Sequence, residues 1–370
     1  MTAYLSVIAV SLPLGICAGI LMHRADFCLV CTVRNFVMFR DAFMLRVTAL
    51  LVIVSMGLFE GSRLLGLVRT YPFPSLGAPA LTNLLGGMLF GFGMVLAGGC
   101  VVGTLYRLGA GNLLSLLAFV GLLIGSVIYA EFHPWWKRLV QATTLTPGRM
   151  TLPQLLGVPP GVLVWPAIVA VAWPLAASAR KGGLVRRSHA NGYLQPWKAA
   201  LALAVVSWVS LLLVGMPMGI TTAYAKVGGY LEGLAFPGHM AGLVYFREQP
   251  LNYLHPLTGT RLTGGPGPTF DAVAAIQFSL VGGIIAGGAL SAWQLREFHR
   301  FRRAPVRQGL AAIIGGILMG LASRMGAGCN VWHILGGLPL FGLQSFLFVL
   351  GLLPGAWVGS RFLVRGVIRP

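Results

Sequence analysis

Apolar residues along this chain do not alternate or recur on one face; they run on without a polar stripe. Residues 4–22, 42–62, 112–131, 161–178, 198–215, 270–293 and 343–362 are almost unbroken hydrophobic stretches, each close to the ~20 residues that carry a helix across a hydrocarbon core. Two further stretches, 82–99 and 309–326, have the length but are dense in glycine. The pattern predicts an all-α polytopic membrane protein with about nine transmembrane helices. The first span has no charged leader and no A-x-A-like cleavage site, so it is expected to be retained.

Composition agrees: 56% of residues are hydrophobic and 9% charged, against about 25% charged in a soluble domain. The formal charge of +19 acquires a meaning once it is mapped onto the spans. With the N-terminus outside and the C-terminus in the cytoplasm, the inner segments 23–41, 100–111, 179–197, 294–308 and the tail from Arg361 hold sixteen Lys/Arg. The outer loops hold eight and the spans three. This is the asymmetry expected of cytoplasmic loops. Nucleic-acid binding is therefore not expected, and a bacterial inner membrane is the expected location.

The chain also repeats itself. Gly86, Gly87, Gly91, Gly99 and Cys100 recur as Gly315, Gly316, Gly320, Gly328 and Cys329, at a constant offset of 229. Ser115, Gly121 and Gly125 meet Ser345, Gly351 and Gly355 one residue further on. Four spans precede residue 140, one lies at 161–178 and four follow 197. An odd helix between two similar units inserts the second upside down, the inverted-topology plan of many transporters. The expected division is a first repeat over 1–140, a connecting helix and basic loop over 141–197, and a second repeat over 198–370. Segment 216–269 is much longer than its counterpart 23–41. It reads as an external lid or vestibule, or, from Gly219 to Lys226, as a dip into the membrane.

Two glycine–cysteine breaks interrupt hydrophobic regions, Gly98-Gly99-Cys100 and Gly326-Ala327-Gly328-Cys329-Asn330. Irregular backbone at membrane depth survives only where it lines a cavity or is buried in protein. A helix that restarts there aims its N–H groups and positive dipole end at whatever occupies the gap, which favours an anion. The same glycines also suit close helix packing. A thiol is a soft, weak S–H donor and suits the terminal sulfur of a sulfur oxyanion better than it suits a hard anion. Cys28, Cys100 and Cys329 are the candidate steps. Cys28-x-x-Cys31 is too sparse for a metal centre, and no metal or cofactor is expected. Cys17 reads as a small core residue, and Cys31 has no assigned role. Basic residues beside the breaks are Arg34, Arg107 and Arg324. Arg34 and Arg107 serve equally as cytoplasmic anchors, whereas Arg324 lies within a span. His333, four residues after Cys329, is placed either to touch substrate or to be satisfied locally.

The segments His23-Arg24-Ala25-Asp26-Phe27-Cys28, Gly98-Gly99-Cys100 through Arg107-Leu108-Gly109, and Gly326-Ala327-Gly328-Cys329-Asn330 resemble the YeeE/YedE family of sulfur-transport membrane proteins. The resemblance implies an hourglass-shaped helical protein that carries thiosulfate. It implies a path marked by Cys28, Cys100 and Cys329, with no ATP used by the chain itself. It also implies a small cytoplasmic TusA-like sulfur carrier as partner. Some relatives serve selenium metabolism, so a selenium-compound transporter is one alternative. A membrane sulfurtransferase with Cys329 as nucleophile and His333 as base is another. Cys28 has no cysteine counterpart in the second half, where Thr221, Thr222 and Lys226 stand.

Overall fold

A long apolar segment in lipid satisfies its backbone polar groups only by forming a helix, and each run read from the sequence does so. The computed structural model describes residues 2–68, 70–74, 76–186, 192–298 and 304–368, without the side chains of 2, 3, 31, 34, 37–39 and 368. The first half contains α1 (Thr2–Arg24), α2 (Leu29–Phe39), α3 (Phe43–Leu64), α4 (Leu81–Leu96), α5 (Val101–Gly109) and α6 (Leu113–Ala142). A short α7 (Leu152–Leu156) and the peripheral α8 (Pro160–Arg180) follow. The remainder comprises α9 (Pro196–Val214), α10 (Thr222–Ala235), α11 (Pro237–Gly242), α12 (Ala272–Gln294), α13 (Val306–Met325) and α14 (Leu343–Phe362). Among the described residues nine helical stretches are long and apolar enough to cross a membrane, with α4 and α5 counting as one.

Local chemistry sets the ends. The Asn112 side chain accepts from the Ser115 N–H at 3.0 Å and starts α6, and Asp271 does the same for Ala274 at 3.0 Å at α12. Proline opens α8 and α9, where a missing N–H costs nothing, and Gly215 closes α9 in the left-handed conformation. One boundary differs from expectation. The span read as 112–131 continues to Ala142, because its extra turns have a partner: Trp136, with Leu139 and Val140 beside it, packs into the cluster that holds Tyr245 and Phe246 of the 216–269 segment.

Packing follows the glycines. The helix pairs α4–α14 and α6–α13 cross closely, as do α1–α12 and α3–α9. A Cβ placed on Gly87 would stand 2.1 Å from the Phe348 carbonyl oxygen, and one on Gly316 would stand 2.2 Å from that of Ala118. Gly91 against Leu352 and Gly320 against Leu122 follow suit, both at 2.4 Å. The same crossings thus recur at the offset read from the sequence. Small residues allow this approach, on which helix association in lipid depends.

Segment 216–269 forms α10, α11 and an antiparallel hairpin of β1 (Leu251–Leu254) and β2 (Arg261–Gly264). One buried side chain fastens it. Lys226 Nζ donates to the carbonyls of Gly267 (2.7 Å) and Thr269 (2.8 Å) and to Asp271 Oδ2 (2.8 Å). Cys17, read as a core residue, instead lies exposed on α1. Its position falls on the face opposite Gly15 and Gly19, which meet α12.

Candidate functional site

The two glycine–cysteine breaks share a left-handed residue two positions before the cysteine but differ at the next glycine, where Gly328 is at φ +156° and Gly99 is not at positive φ. After α4, Ala97 caps the helix, Gly98 turns left-handed at φ +70°, and Cys100 becomes the N-cap of α5. After α13, Gly326 caps, Ala327 turns left-handed at φ +59°, and Cys329 precedes a helical segment over 330–340. The left-handed turn costs a non-glycine residue roughly 1–2 kcal/mol, so Ala327 is held there by its surroundings. The Gly103 N–H donates to Cys100 Sγ at 3.3 Å. The backbone N–H groups of Val331 and Trp332 reach the Cys329 sulfur. Cys28 is likewise the N-cap of α2, and Thr221 takes that place before α10. Three thiols therefore sit at three helix N-termini, where unpaired N–H groups and the positive dipole end favour negative charge.

The structure brings these thiols together. Cys28 and Cys100 are in hydrogen-bonding contact. A Cβ on Gly103 would meet their sulfurs at 3.8 and 3.5 Å. Cys329 lies within electrostatic range of Cys100, and all three are at most 1% exposed. Gly99 and Gly328 form the backbone in front of their cysteines, and Asn330 follows Cys329 at 0% exposure.

Cavities open on either side of this closure. One, of about 320 Å³, is lined by Thr221, Thr222, Tyr245, Arg324, Gly328 and Trp332, among others. The other, of about 400 Å³, is lined by His23, Asp26, Tyr106, Arg107, Tyr193 and Glu297, among others. In the first, Arg324 Nη1 donates to Thr222 Oγ1 at 3.0 Å, and Nη2 donates to Thr221 Oγ1. In the second, Arg107 donates to the Gly98 carbonyl at 2.8 Å and pairs with Asp26 at 3.2 Å. Glu248, at the rim of the first cavity, accepts from Lys137 at 2.6 Å and lies 3.1 Å from His133 Nε2. Burial alone would raise its carboxyl, but Lys137 and His133 outweigh it and hold the carboxyl below its usual value.

His333 is engaged by the protein. Nδ1 is 2.9 Å from Ser345 Oγ, Nε2 is 3.1 Å from the Gly326 carbonyl, and the ring stacks on Phe348. It braces the break. The side chains of Arg34 and Cys31 lie outside the described residues. A His–carboxylate group with ligand spacing, Glu131, Glu232 and His239, lies away from the thiols and ties α6, α10 and α11. Tyr106 and Tyr224, buried beside the thiols, carry no sequence signal of their own. Only the alignment of α10 with α2 would have pointed to Tyr224.

Nine candidate membrane spans among the described residues, with buried thiols and two separate polar-lined cavities between the helices, are the equipment of a membrane transporter. The chain belongs to the family described as "Sulphur transport", which matches residues 24–358. It is similar to "Thiosulfate transporter TsuA" of Spirochaeta thermophila, with 28% identity over 96% of this chain and 98% of that one. The protein of the same name from Escherichia coli is 26% identical over 96% of this chain and 94% of its own. "Probable transporter YedE" of Escherichia coli is 28% identical over 47% of this chain and 39% of its own.

Proposed function

We propose that this protein is a bacterial inner-membrane permease that takes up thiosulfate, or a closely related sulfur anion, into the cytoplasm. The observation that carries the reading is the cluster of three buried thiols at helix N-termini between two cavities. The names of the full-length relatives supply the substrate class. In this reading the N-terminus is outside and the C-terminus cytoplasmic, so the Arg324 cavity faces out and the Arg107 cavity faces in. Residues 1–140 and 198–370 act as inverted halves around 141–197, which the glycine crossings at one offset support.

An anion leaving water pays a desolvation cost too large to leave uncompensated. Arg324 collects it, and the N–H groups at Cys329 and Cys100, flanked by Gly328 and Gly99, replace part of its hydration. Cys329, Cys100 and Cys28 then offer S–H contacts to its soft terminal sulfur in turn, with Asn330 beside the first. Arg107 stands at the exit, on the side where a small TusA-like carrier is the proposed cytoplasmic partner. No covalent step is needed. A sulfur relay requires an activating base at each thiol, but Thr104 stands where Cys100 would need one, and both nitrogens of His333 are engaged.

Uptake of labelled thiosulfate by liposomes holding the purified protein tests this, with wild type beside Cys100→Ser. We expect wild-type uptake and its loss in a folded mutant. Normal uptake by Cys100→Ser overturns the thiol path, and no uptake by a folded wild type overturns the substrate.

A further inference from the structure

Around Cys329 several buried polar groups, most of them donors, have no hydrogen-bond partner among the described residues. The Tyr224 hydroxyl, both ends of the Asn330 amide, Trp332 Nε1 and Arg324 Nε are all buried without a hydrogen-bond partner. Tyr224 is 1% exposed and Asn330 0%. Native proteins rarely leave such groups unsatisfied, and each case calls for an explanation. Several in one place are explained by an occupant. Asn330 and Trp332 lie one and three residues beyond Cys329, and Trp332 packs on Gly328 at the floor of the Arg324 cavity. Tyr224 lies in electrostatic range of both Cys329 and Cys100, on the helix whose first residue and N-cap accept from Arg324.

The other break lacks this equipment. At the repeat offset, Val101 and Gly103 stand where Asn330 and Trp332 stand. With the N-caps Cys28 and Thr221 aligned, Cys31 stands where Tyr224 stands. One half of the closure thus offers O–H and N–H donors beside a thiol, and the other offers two thiols in contact. Hard oxygens suit the first and a soft sulfur the second.

Resting on the permease reading, we propose that Tyr224, Asn330 and Trp332 form an oxyanion pocket at Cys329 that binds the –SO3 end of the substrate. The terminal sulfur then points toward Cys100 and Cys28. The pocket selects for anions of the S–SO3 class over soft anions without oxygens. It also binds sulfate, which carries the oxygens but has no terminal sulfur to point toward Cys100 and Cys28.

The test uses the full chain in detergent and in liposomes, as wild type, Tyr224→Phe and Asn330→Val. Tyr224→Phe removes one hydroxyl, and Asn330→Val installs the residue found at the other break. Calorimetry with thiosulfate and with sulfate gives Kd, and liposome uptake gives KM, kcat and competition by sulfate. We expect each variant to weaken thiosulfate binding about tenfold, the effect of losing a hydrogen bond to a charged group. KM should rise by a similar factor with kcat little changed, the thermal midpoint should hold, and the sulfate concentration needed for half-inhibition should rise about tenfold as well. A purely structural role would lower the midpoint and kcat without touching competition, and that result overturns the pocket. Kd values within twofold of wild type in both variants also overturn it, as does a wild type that binds neither anion. A wild type that binds thiosulfate but does not move it sinks the permease reading alone, since Kd still decides the pocket.

Discussion

The helix crossings admit a quantitative trial. Gly87→Ala would put a methyl 2.1 Å from the Phe348 carbonyl oxygen and 2.9 Å from its carbon; Gly316→Ala would put one 2.2 Å from the Ala118 oxygen and 2.9 Å from its carbon. Both obstacles are backbone, so no side chain can swing aside. Each helix pair must part by about 1 Å to reach ordinary contact, and a gap of that size forfeits a quarter to a half of each dispersion well along the crossing. Overpacking of this kind costs about 1–3 kcal/mol. Because the two crossings share one geometry, the two costs should agree within about 1 kcal/mol. The control is Gly282→Ala on α12, where an added Cβ meets nothing within 4 Å. There, helix propensity alone predicts a gain of about 0.5–1 kcal/mol. Thermal unfolding of the purified proteins in one detergent reads all three. If Gly87→Ala and Gly316→Ala match Gly282→Ala, the close crossings are wrong. If only one of them destabilises, the equivalence of the halves fails.

Two further outcomes follow from the outer segment. Lys226→Met leaves Asp271 and two carbonyls short of their buried partner, and should cost roughly 3–5 kcal/mol, seen as protease cleavage within 236–270 where wild type resists. Glu248 has a carboxyl held below its usual value, so its contribution to stability is full above the ordinary carboxyl range near 4.3 and is lost as pH falls through the lowered value. Thermal midpoints between pH 6 and 3 should therefore drop in wild type and drop less in Glu248→Gln, and parallel curves would refute the assignment.

How much was legible in the sequence depended on how local the signal was. Hydrophobic runs name the spans because lipid leaves the backbone no alternative to the helix. The glycines that recur at the offset of 229 fall at close helix approaches, Gly87 and Gly91 against α14 and Gly316 and Gly320 against α6, because only a residue without Cβ fits there. Helix extension beyond 131 was not legible, because it depends on Tyr245 and Phe246, more than a hundred residues away. Cys17 shows the same limit: an apolar residue in lipid fits either face, and only the partner helix decides which. At the site, the cysteines and Arg324 stood out as rare types in apolar surroundings. His333 was ambiguous because its partners Ser345 and Gly326 are set by the fold, and Tyr224 was invisible because a tyrosine in a Gly- and aromatic-rich segment is unremarkable by type.

For the inward movement proposed here, the placement of charge matters as much as the thiols. A site that binds too well does not conduct. A fixed cation 4 Å from the anion at an effective dielectric near 20 is worth about 4 kcal/mol, enough to slow release roughly a thousandfold. At the closure the thiols, the hydroxyl and the amide carry no fixed cation of their own, and the nearest positive charge is Arg324, beside Cys329. The two arginines sit at the cavities and differ. Arg107 spends its donors on Asp26 and the Gly98 carbonyl, which weakens its hold at the exit. Arg324 donates to the hydroxyls of Thr221, Thr222 and Tyr245, and the Glu248 carboxylate in the same cavity is paired with Lys137 instead. In the proposed orientation an anion therefore meets a less compensated arginine at the Arg324 cavity than at the Arg107 cavity, so Arg324→Gln should weaken thiosulfate binding more than Arg107→Gln does, and equal losses would refute the distinction.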